Sequence, residues 1–157
     1  MQLQLDLLQY RDRLDLRTRA AKRLVFGALR RKELVLTPEE LVRQLMVHYL
    51  QQDRRYPAAR MAAEKLVRVN GMPKRCDLLI FDENTLPFLL VECKRAEVAL
   101  TDAVFAQIAR YNLPLRVPYL LVSNGRQSYC CAMDYERETF TFLPEIPAFD
   151  PPTGKDR

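Results

Sequence analysis

The amino-acid sequence predicts an α/β fold, a mixed sheet with a helix on each face, and three observations support this class. Short apolar runs rich in β-branched and aromatic residues are interspersed with two segments of helical periodicity. The order of the segments is helix, three strands, helix, and then two or three strands. The 157 residues, 48% hydrophobic and 29% charged, are enough to bury one sizeable core.

A β-hairpin and a helix are predicted for the first third of the chain. Residues 22–27 and 33–37 are apolar runs on either side of a charged turn, which favours a hairpin. Residues 37–40 (TPEE) place Thr at an N-cap, Pro at the first helical position and Glu three residues after the cap. The helix is expected to reach about Gln52. Its apolar stripe has helical spacing and contains Leu41, Val42, Leu45, Met46 and Tyr49.

The rest of the predicted sheet comes from short apolar segments around a second helix at about 102–112. Residues 76–82 and 88–94 are nearly continuous in apolar residues, which is typical of strands covered on both faces. The predicted strands are residues 63–69, 76–82, 88–94, 118–123, 127–133 and 138–143.

Three regions are expected along the chain: a basic segment (1–21), a folded domain (22–143) and a loose tail (144–157). The tail contains three prolines and a glycine after Pro144. No apolar run approaches the roughly 18 residues needed to cross a bilayer, and the start lacks the order of a signal peptide. We therefore expect a cytoplasmic protein without a membrane partner.

The positive charge is concentrated at the beginning of the chain. Residues 1–36 hold nine Lys and Arg against four acidic residues, and the remainder is neutral, so that this part accounts for the net charge of +5. A basic segment suits a polyanion such as DNA, because neutralised phosphates release counterions. A solvated charged surface explains the charge equally well. The candidate DNA-binding residues are Arg11, Arg13, Arg17 and Arg19.

Metal ligands of the zinc type are scarce. The four cysteines form no CxxC pair, and His48 is the only histidine. We expect the cysteines to be reduced core residues. The sequence therefore offers few ligands for a structural zinc site.

Two carboxylates interrupt otherwise apolar strands. Asp77 lies in the predicted strand 76–82 and Glu92 in the strand 88–94, with Lys94 two residues beyond and on the same face as Glu92. If the strands are joined by a four-residue loop in which Asp82 pairs with Pro87, Asp77 lies opposite Glu92. Like charges in that position are destabilising, so something should offset them.

A divalent cation bound by both carboxylates would offset the repulsion. Mg²⁺ prefers one or two carboxylates together with water and phosphate oxygens. Lys94 could then orient or deprotonate the attacking water, or stabilise charge on the scissile phosphate. The alternative is that Asp77 and Glu92 are strand-end residues and that Lys94 is their surface salt-bridge partner.

The second predicted helix adds a polar residue in an apolar position. On a helical wheel, Gln107 lies inside the stripe formed by Ala103, Val104, Ile108 and Tyr111. A buried amide needs partners, and a polar site at the sheet would supply them. The alternative is a solvated Gln107 and a core aromatic at Tyr111.

Four short motifs occur together: residues 37–44 (TPEELVRQ), 75–77 (RCD), 91–94 (VECK) and 107–112 (QIARYN). With their spacing, residues 22–143 resemble the amino-terminal nuclease domain of type I restriction enzyme R subunits, including small stand-alone relatives, within the PD-(D/E)xK superfamily. The resemblance implies a restriction-endonuclease-like αβββαβ core, here with an N-terminal β-hairpin. It also implies cleavage of DNA phosphodiesters that depends on Mg²⁺, for which Mn²⁺ can substitute.

The resemblance also implies roles for individual residues. Asp77 and Glu92 match the metal ligands, Lys94 the catalytic lysine, and Gln107 with Tyr111 the QxxxY element that supports the site. Glu40 matches the first-helix glutamate that completes the acidic cluster. The wheel, however, places Glu39 nearer the sheet-facing stripe, and Glu40 is also spaced to close a capping box with the N-cap residue.

The chain lacks the GxxxxGK[ST] phosphate loop of the helicase domains in full R subunits. We expect a deoxyribonuclease of restriction, defence or repair, with a larger restriction, repair or helicase protein as a candidate partner. Two alternatives are a nucleic-acid-binding or assembly module with the nuclease fold and little activity, and a nuclease that processes RNA.

Overall fold

A computed structural model describes residues 2–149 and contains a six-stranded mixed sheet, a three-stranded sheet and two α-helices. Short 3-10 helices span Leu7–Arg13, Ala58–Arg60 and Leu113–Leu115. The elements are β1 (Leu16–Arg19), β2 (Lys22–Phe26), β3 (Glu33–Val35), α1 (Pro38–Gln52), β4 (Met61–Val69), β5 (Met72–Phe81), β6 (Pro87–Cys93), α2 (Asp102–Asn112), β7 (Tyr119–Ser123), β8 (Ser128–Asp134) and β9 (Thr139–Phe142).

The small sheet has the order β1-β2-β3 and is antiparallel. The predicted hairpin of β2 and β3 is confirmed, and β1 adds a strand from the segment that the sequence assigned to a basic arm. The expected boundary between the basic segment and the domain, after residue 21, falls in the turn between β1 and β2. The residues on either side of this turn, Arg19 and Lys22, pair with each other. Further upstream, Leu7 and Tyr10 are buried, and the Tyr10 ring packs against Tyr49 of α1. The basic segment is therefore joined to the fold.

Helix α1 begins as predicted. The Thr37 hydroxyl accepts a hydrogen bond from the Glu40 backbone N–H at 3.0 Å, and Pro38 is the first helical residue. The Thr37 backbone N–H instead donates to the Val35 carbonyl, so the Glu40 carboxylate does not close a capping box. This leaves the Glu40 side chain available for other partners.

The large sheet has the order β4-β5-β6-β7-β8-β9, and only β6 and β7 pair in parallel. Helix α2 lies in the connection between β6 and β7, as a parallel pair requires. One core cluster joins α1 residues to Leu78 and Val91 of the sheet, and a second joins α2 residues to Leu79 and Leu90. The predicted mixed sheet with a helix on each face is thus confirmed.

The register of β5 and β6 agrees with the prediction near the acidic residues. Leu78 pairs with Val91, and continuing by one residue brings Asp77 beside Glu92. The predicted pairing of Asp82 with Pro87 is wrong, because the register shifts at Phe81, which pairs with Pro87 instead. The Asp82 carboxylate caps the turn by accepting hydrogen bonds from the backbone N–H groups of residues 84 and 86, at 2.8 and 3.0 Å.

The four cysteines are buried and unpaired, as expected. Burial raises the pKa of Cys130 and of Cys131 to about 12, so both are thiols at neutral pH. No helix within residues 2–149 is both long and apolar enough to cross a bilayer.

The expectation of a loose tail from Pro144 is wrong for its first residues. Ile146 is buried, and its carbonyl accepts a hydrogen bond from Arg54. The Tyr56 hydroxyl donates to the Pro147 carbonyl at 2.5 Å, and the Phe149 ring packs on Tyr56. Residues 150–157 of the expected tail lie outside the described residues. Prolines in this segment do not prevent burial, since Arg54 and Tyr56, in the loop after α1, supply donors for its carbonyls.

If residues 144–149 are part of the core, Ile146→Ala should lower the free energy of unfolding by about 2–5 kcal/mol, as for other buried aliphatic truncations. Leu8→Ala is a suitable control, because Leu8 is exposed and its loss should change stability by no more than about 0.5 kcal/mol. Urea denaturation measures both. Equal stabilities of the two variants would show that the segment is not packed in solution.

Candidate active site

A buried arginine joins carboxylates from three elements. Arg43 lies on α1, and its side chain is 7% exposed. Its guanidinium donates to Glu40 at 2.7 Å and to Asp77 of β5 at 3.1 Å, and lies 2.7 Å from the carboxylate of Glu64 on β4. A buried charge is tolerated only when it is paired and hydrogen-bonded. These ion pairs therefore fix α1 against β4 and β5.

Asp77 is held from two sides. Its Oδ1 accepts from Arg43, and its Oδ2 accepts from the backbone N–H of Cys93 at 2.7 Å. Burial raises the pKa of Asp77 above its ordinary value, and the charge of Glu92 adds to this, although the Cys93 N–H and Arg43 act in the opposite direction. The carboxylate thus links α1 to the end of β6, where the second predicted ligand lies.

Glu92 is held by a different set of donors. The Asn112 side-chain amide, at the end of α2, donates to Oε1 at 2.9 Å, and Lys74 Nζ lies 3.9 Å from the same oxygen. Lys94 Nζ lies 3.6 Å from Oε2, and its side chain is 38% exposed. The Lys94 backbone N–H donates to the Ser123 carbonyl at 2.8 Å, which continues the pairing of β6 with β7. Lys94 is therefore anchored at its backbone and open to solvent at its amine.

The structure places Asp77, in the middle of β5, beside the end of β6, where Glu92 and Lys94 lie. The expected offset of the repulsion comes from protein donors, which contact both carboxylates. The binding of a divalent cation by Asp77 and Glu92 stays a prediction. Asp77 accepts hydrogen bonds from Arg43 and a backbone N–H. Glu92 accepts one from Asn112 and forms ion pairs with two lysines. The repulsion is offset without a metal.

Glu40, and not Glu39, points into the protein. Glu40 is buried, while Glu39 is only partly covered. Besides its bond to Arg43, the Glu40 carboxylate accepts a hydrogen bond from the Gln44 amide at 2.8 Å. The Arg30 guanidinium lies 3.8 Å from the same carboxylate. The helical-wheel argument for Glu39 is wrong because it considered only apolar residues. Glu40 is turned inward by its ion pair with Arg43, which lies one turn further along the helix.

The prediction that Gln107 lies in the buried stripe of α2 is wrong. Gln107 is exposed and Tyr111 is 69% exposed, because Phe105 and Ala109 set the face that packs on the sheet. The buried polar residue of this helix is Asn112. The sequence did contain a signal for the burial of Asn112. It lies seven residues after Phe105 and three after Ala109, which places the three residues on one face of the helix.

Tyr111 nevertheless lies near the acidic residues. Lys74 Nζ is 3.6 Å from the centre of the Tyr111 ring, a cation–π contact, and the same lysine approaches Glu92. Tyr111 therefore reaches the site through Lys74. A supporting role for Gln107 stays a prediction.

The carboxylate oxygens of Asp77 and Glu92 are the candidate metal ligands of this site. Within residues 2–149, no group of three or more His, Cys, Asp or Glu side chains is placed to hold an ion. Asp77 and Glu92 offer carboxylate oxygens, each with a lone pair beyond the hydrogen bond it accepts. This set suits Mg²⁺, which keeps several waters and takes phosphate oxygens, and does not suit zinc, which requires three or four protein ligands.

The basic segment is partly neutralised. Arg17 bonds to Asp15 at 3.0 Å and lies over the Phe26 ring, and Arg19 bonds to Glu33 at 2.8 Å. Arg11 and Arg13 are exposed, with Arg13 at 6.0 Å from the ring centre of Tyr10. Contact of these four arginines with DNA stays a prediction.

A mixed α/β sheet with Asp, Glu and Lys on two adjacent strands is characteristic of an α/β nuclease-like domain. The family model described as Type I restriction enzyme R protein N terminus matches residues 38–147. The chain belongs to this family. A comparison with curated proteins gives no match. The matched region begins at the first residue of α1 and so contains the whole candidate site but not the small sheet.

Replacing Arg43 by Met should lower the free energy of unfolding by about 3–5 kcal/mol, since it leaves buried carboxylates without their partner. Arg110→Met is a matched control on the exposed face of α2, where the change should be within about 0.5 kcal/mol. Chemical denaturation gives both values. If the Arg43 variant is as stable as the control, the buried ion pairs do not hold α1 on the sheet.

Proposed function

We propose that this chain is a metal-dependent endonuclease-type domain that hydrolyses DNA phosphodiester bonds in restriction, defence or repair. The observation that carries the proposal is that Asp77 of β5 lies beside the end of β6, where Glu92 and Lys94 lie. The family adds support, because its description names a restriction enzyme subunit. DNA is accordingly the proposed substrate.

In this proposal, Asp77 and Glu92 hold Mg²⁺, with Mn²⁺ as a substitute. Such an ion, when bound, polarises a phosphoryl oxygen and lowers the pKa of a bound water. The protein positions the two ligands: the Cys93 N–H orients Asp77, and the Asn112 amide orients Glu92. A cation at Asp77 would lie beside Arg43, which already occupies one lone pair of Oδ1.

Lys94 is the proposed catalytic residue that faces the substrate. Its amine is anchored near Glu92 yet open to solvent, so a scissile phosphate or its attacking water can approach it. A positioned cation there stabilises the charge that develops on the phosphate. Glu40 is a positioning residue in this proposal, because it is buried and acts on Asp77 through Arg43.

One observation favours the second candidate, a nucleic-acid-binding or assembly module with little activity. The carboxylates are already satisfied by protein donors, so the fold does not need a metal to offset their charges. In either case, a larger partner with its own helicase domains would supply ATP-driven movement on DNA, since this chain contains no GxxxxGK[ST] loop.

Lys94→Ala should reduce metal-dependent cleavage by about 10²–10³-fold, the usual loss when one positioned electrostatic group is removed. Folding and DNA binding should change little, because the amine is outside the core. Lys22→Ala, which removes an exposed lysine from the first position of β2, is the matched control and should retain activity.

The assay should present single-stranded, double-stranded, nicked and branched DNA, and RNA, with Mg²⁺, Mn²⁺ or EDTA. Cleavage by the parent in Mg²⁺ and its loss in EDTA support the enzyme. No cleavage of any substrate, with intact DNA binding, supports the module. Cleavage of RNA alone would contradict the proposed substrate.

A further inference from the structure

The hairpin of β4 and β5 extends beyond the rest of the sheet. The two strands pair with each other from Lys65↔Cys76 to Val69↔Met72, whereas β6 pairs with β5 only from Leu78 onward. Strand β4 is also the sheet edge. Residues 65–76, named the ribbon here, therefore form a two-stranded projection. Five residues in each strand give it a length of about 17 Å.

The ribbon is basic, and one of its faces is exposed. It carries four positive residues and no acidic one: Lys65, Arg68, Lys74 and Arg75. The pairs Leu66↔Arg75 and Arg68↔Pro73 share one face, and all four of these residues are exposed. Isolated two-stranded hairpins are marginal in water, and exposed edges invite a partner. The charge specifies a polyanion as that partner.

The base of the ribbon is attached to the candidate site. Lys74 contacts both Glu92 and the Tyr111 ring. On the other face, Arg75 lies 3.3 Å from Glu64, which is bonded to Arg43. The direction in which the ribbon projects is thus fixed relative to the two candidate metal ligands. A nucleic acid bound along the ribbon would pass near them.

We propose that the ribbon enters the major groove of duplex DNA and thereby sets the phosphodiester that reaches Lys94. This inference rests on the proposed function and names its substrate form. The major groove of B-DNA is about 12 Å wide and admits a two-stranded ribbon. The major groove of duplex RNA is too narrow and deep for side chains to enter. Lys65 and Arg68 contact the phosphates on either side of the groove.

The test is a binding titration in EDTA, which prevents cleavage, with the full chain and duplex DNA at several salt concentrations. Lys65→Gln with Arg68→Gln should weaken binding by about tenfold or more in 0.1 M salt and reduce the log–log salt slope by about 1.8. The control pair Arg116→Gln with Arg137→Gln removes equal charge at the opposite end of the sheet. It should leave affinity and slope unchanged.

Three results would overturn the inference. The first is an equal loss of affinity in the ribbon and control pairs, which would indicate a general charge effect. The second is an equal loss on duplex RNA or single-stranded DNA, which would exclude entry into the B-form groove. The third is unchanged DNA binding by the ribbon pair, which would assign this surface to a protein. Unaltered melting temperatures exclude misfolding as the cause of any loss.

Cleavage in Mg²⁺ separates this inference from the proposed function. Duplex binding that needs the ribbon, without cleavage by the parent, supports the ribbon and contradicts the nuclease. Cleavage that is unaffected in the ribbon pair supports the nuclease and contradicts the ribbon.

Discussion

The buried guanidinium of Arg43 is the interaction on which the site and its surroundings depend. It pairs with carboxylates from α1, β4 and β5. Removal of any one partner would leave a buried charge without compensation. Glu64, one of these partners, has a left-handed backbone with φ 55° in the middle of β4. Such a conformation costs on the order of 1–3 kcal/mol and persists only where the surroundings enforce it. The ion pairs with Arg43 and Arg75 provide that enforcement.

This irregularity also decides which way the neighbouring side chains point. Cys76 and Leu79 belong to the same core cluster, although strict alternation along β5 would place them on opposite faces. The alternation breaks next to Glu64, between the pairs Lys65↔Cys76 and Ala63↔Leu78. Asp77 lies at this break, which lets its carboxylate reach both Arg43 and the backbone of β6. Glu92 is served instead by α2 through Asn112, so the two halves of the site are supported from opposite faces of the sheet.

Much of the fold follows from local sequence signals. The TPEE cap and the apolar strands were predictable because each depends on neighbouring residues. The β5–β6 register was right beside Asp77 because the shift at Phe81 offsets the error in the predicted turn. Strand β1 was missed because its sequence, LRTR, is charged, and its extended conformation depends on pairing with β2, which lies later in the chain. Arg43 was missed for a related reason: an arginine on a helix is usually solvated, and its burial depends on acids far away in the sequence. The buried face of α2 was predicted wrongly because its packing is decided by the large Phe105 side chain. The wheel instead placed the buried face at the centre of all the apolar residues.

Binding of a divalent cation by Asp77 and Glu92, both of which already accept hydrogen bonds from protein donors, is the proposal on which the catalytic function depends. Thermal unfolding with EDTA, Mg²⁺, Mn²⁺ and Ca²⁺ tests it without knowledge of the substrate. At ten times Kd, a cation that binds only the folded chain adds about 1.4 kcal/mol. For a chain of this size, that corresponds to a rise in Tm of roughly 3–6 °C. Glu92→Gln should lose most of this rise, whereas Glu97→Gln, which alters an exposed carboxylate, should keep it. A parent with one Tm in every condition would contradict the claim.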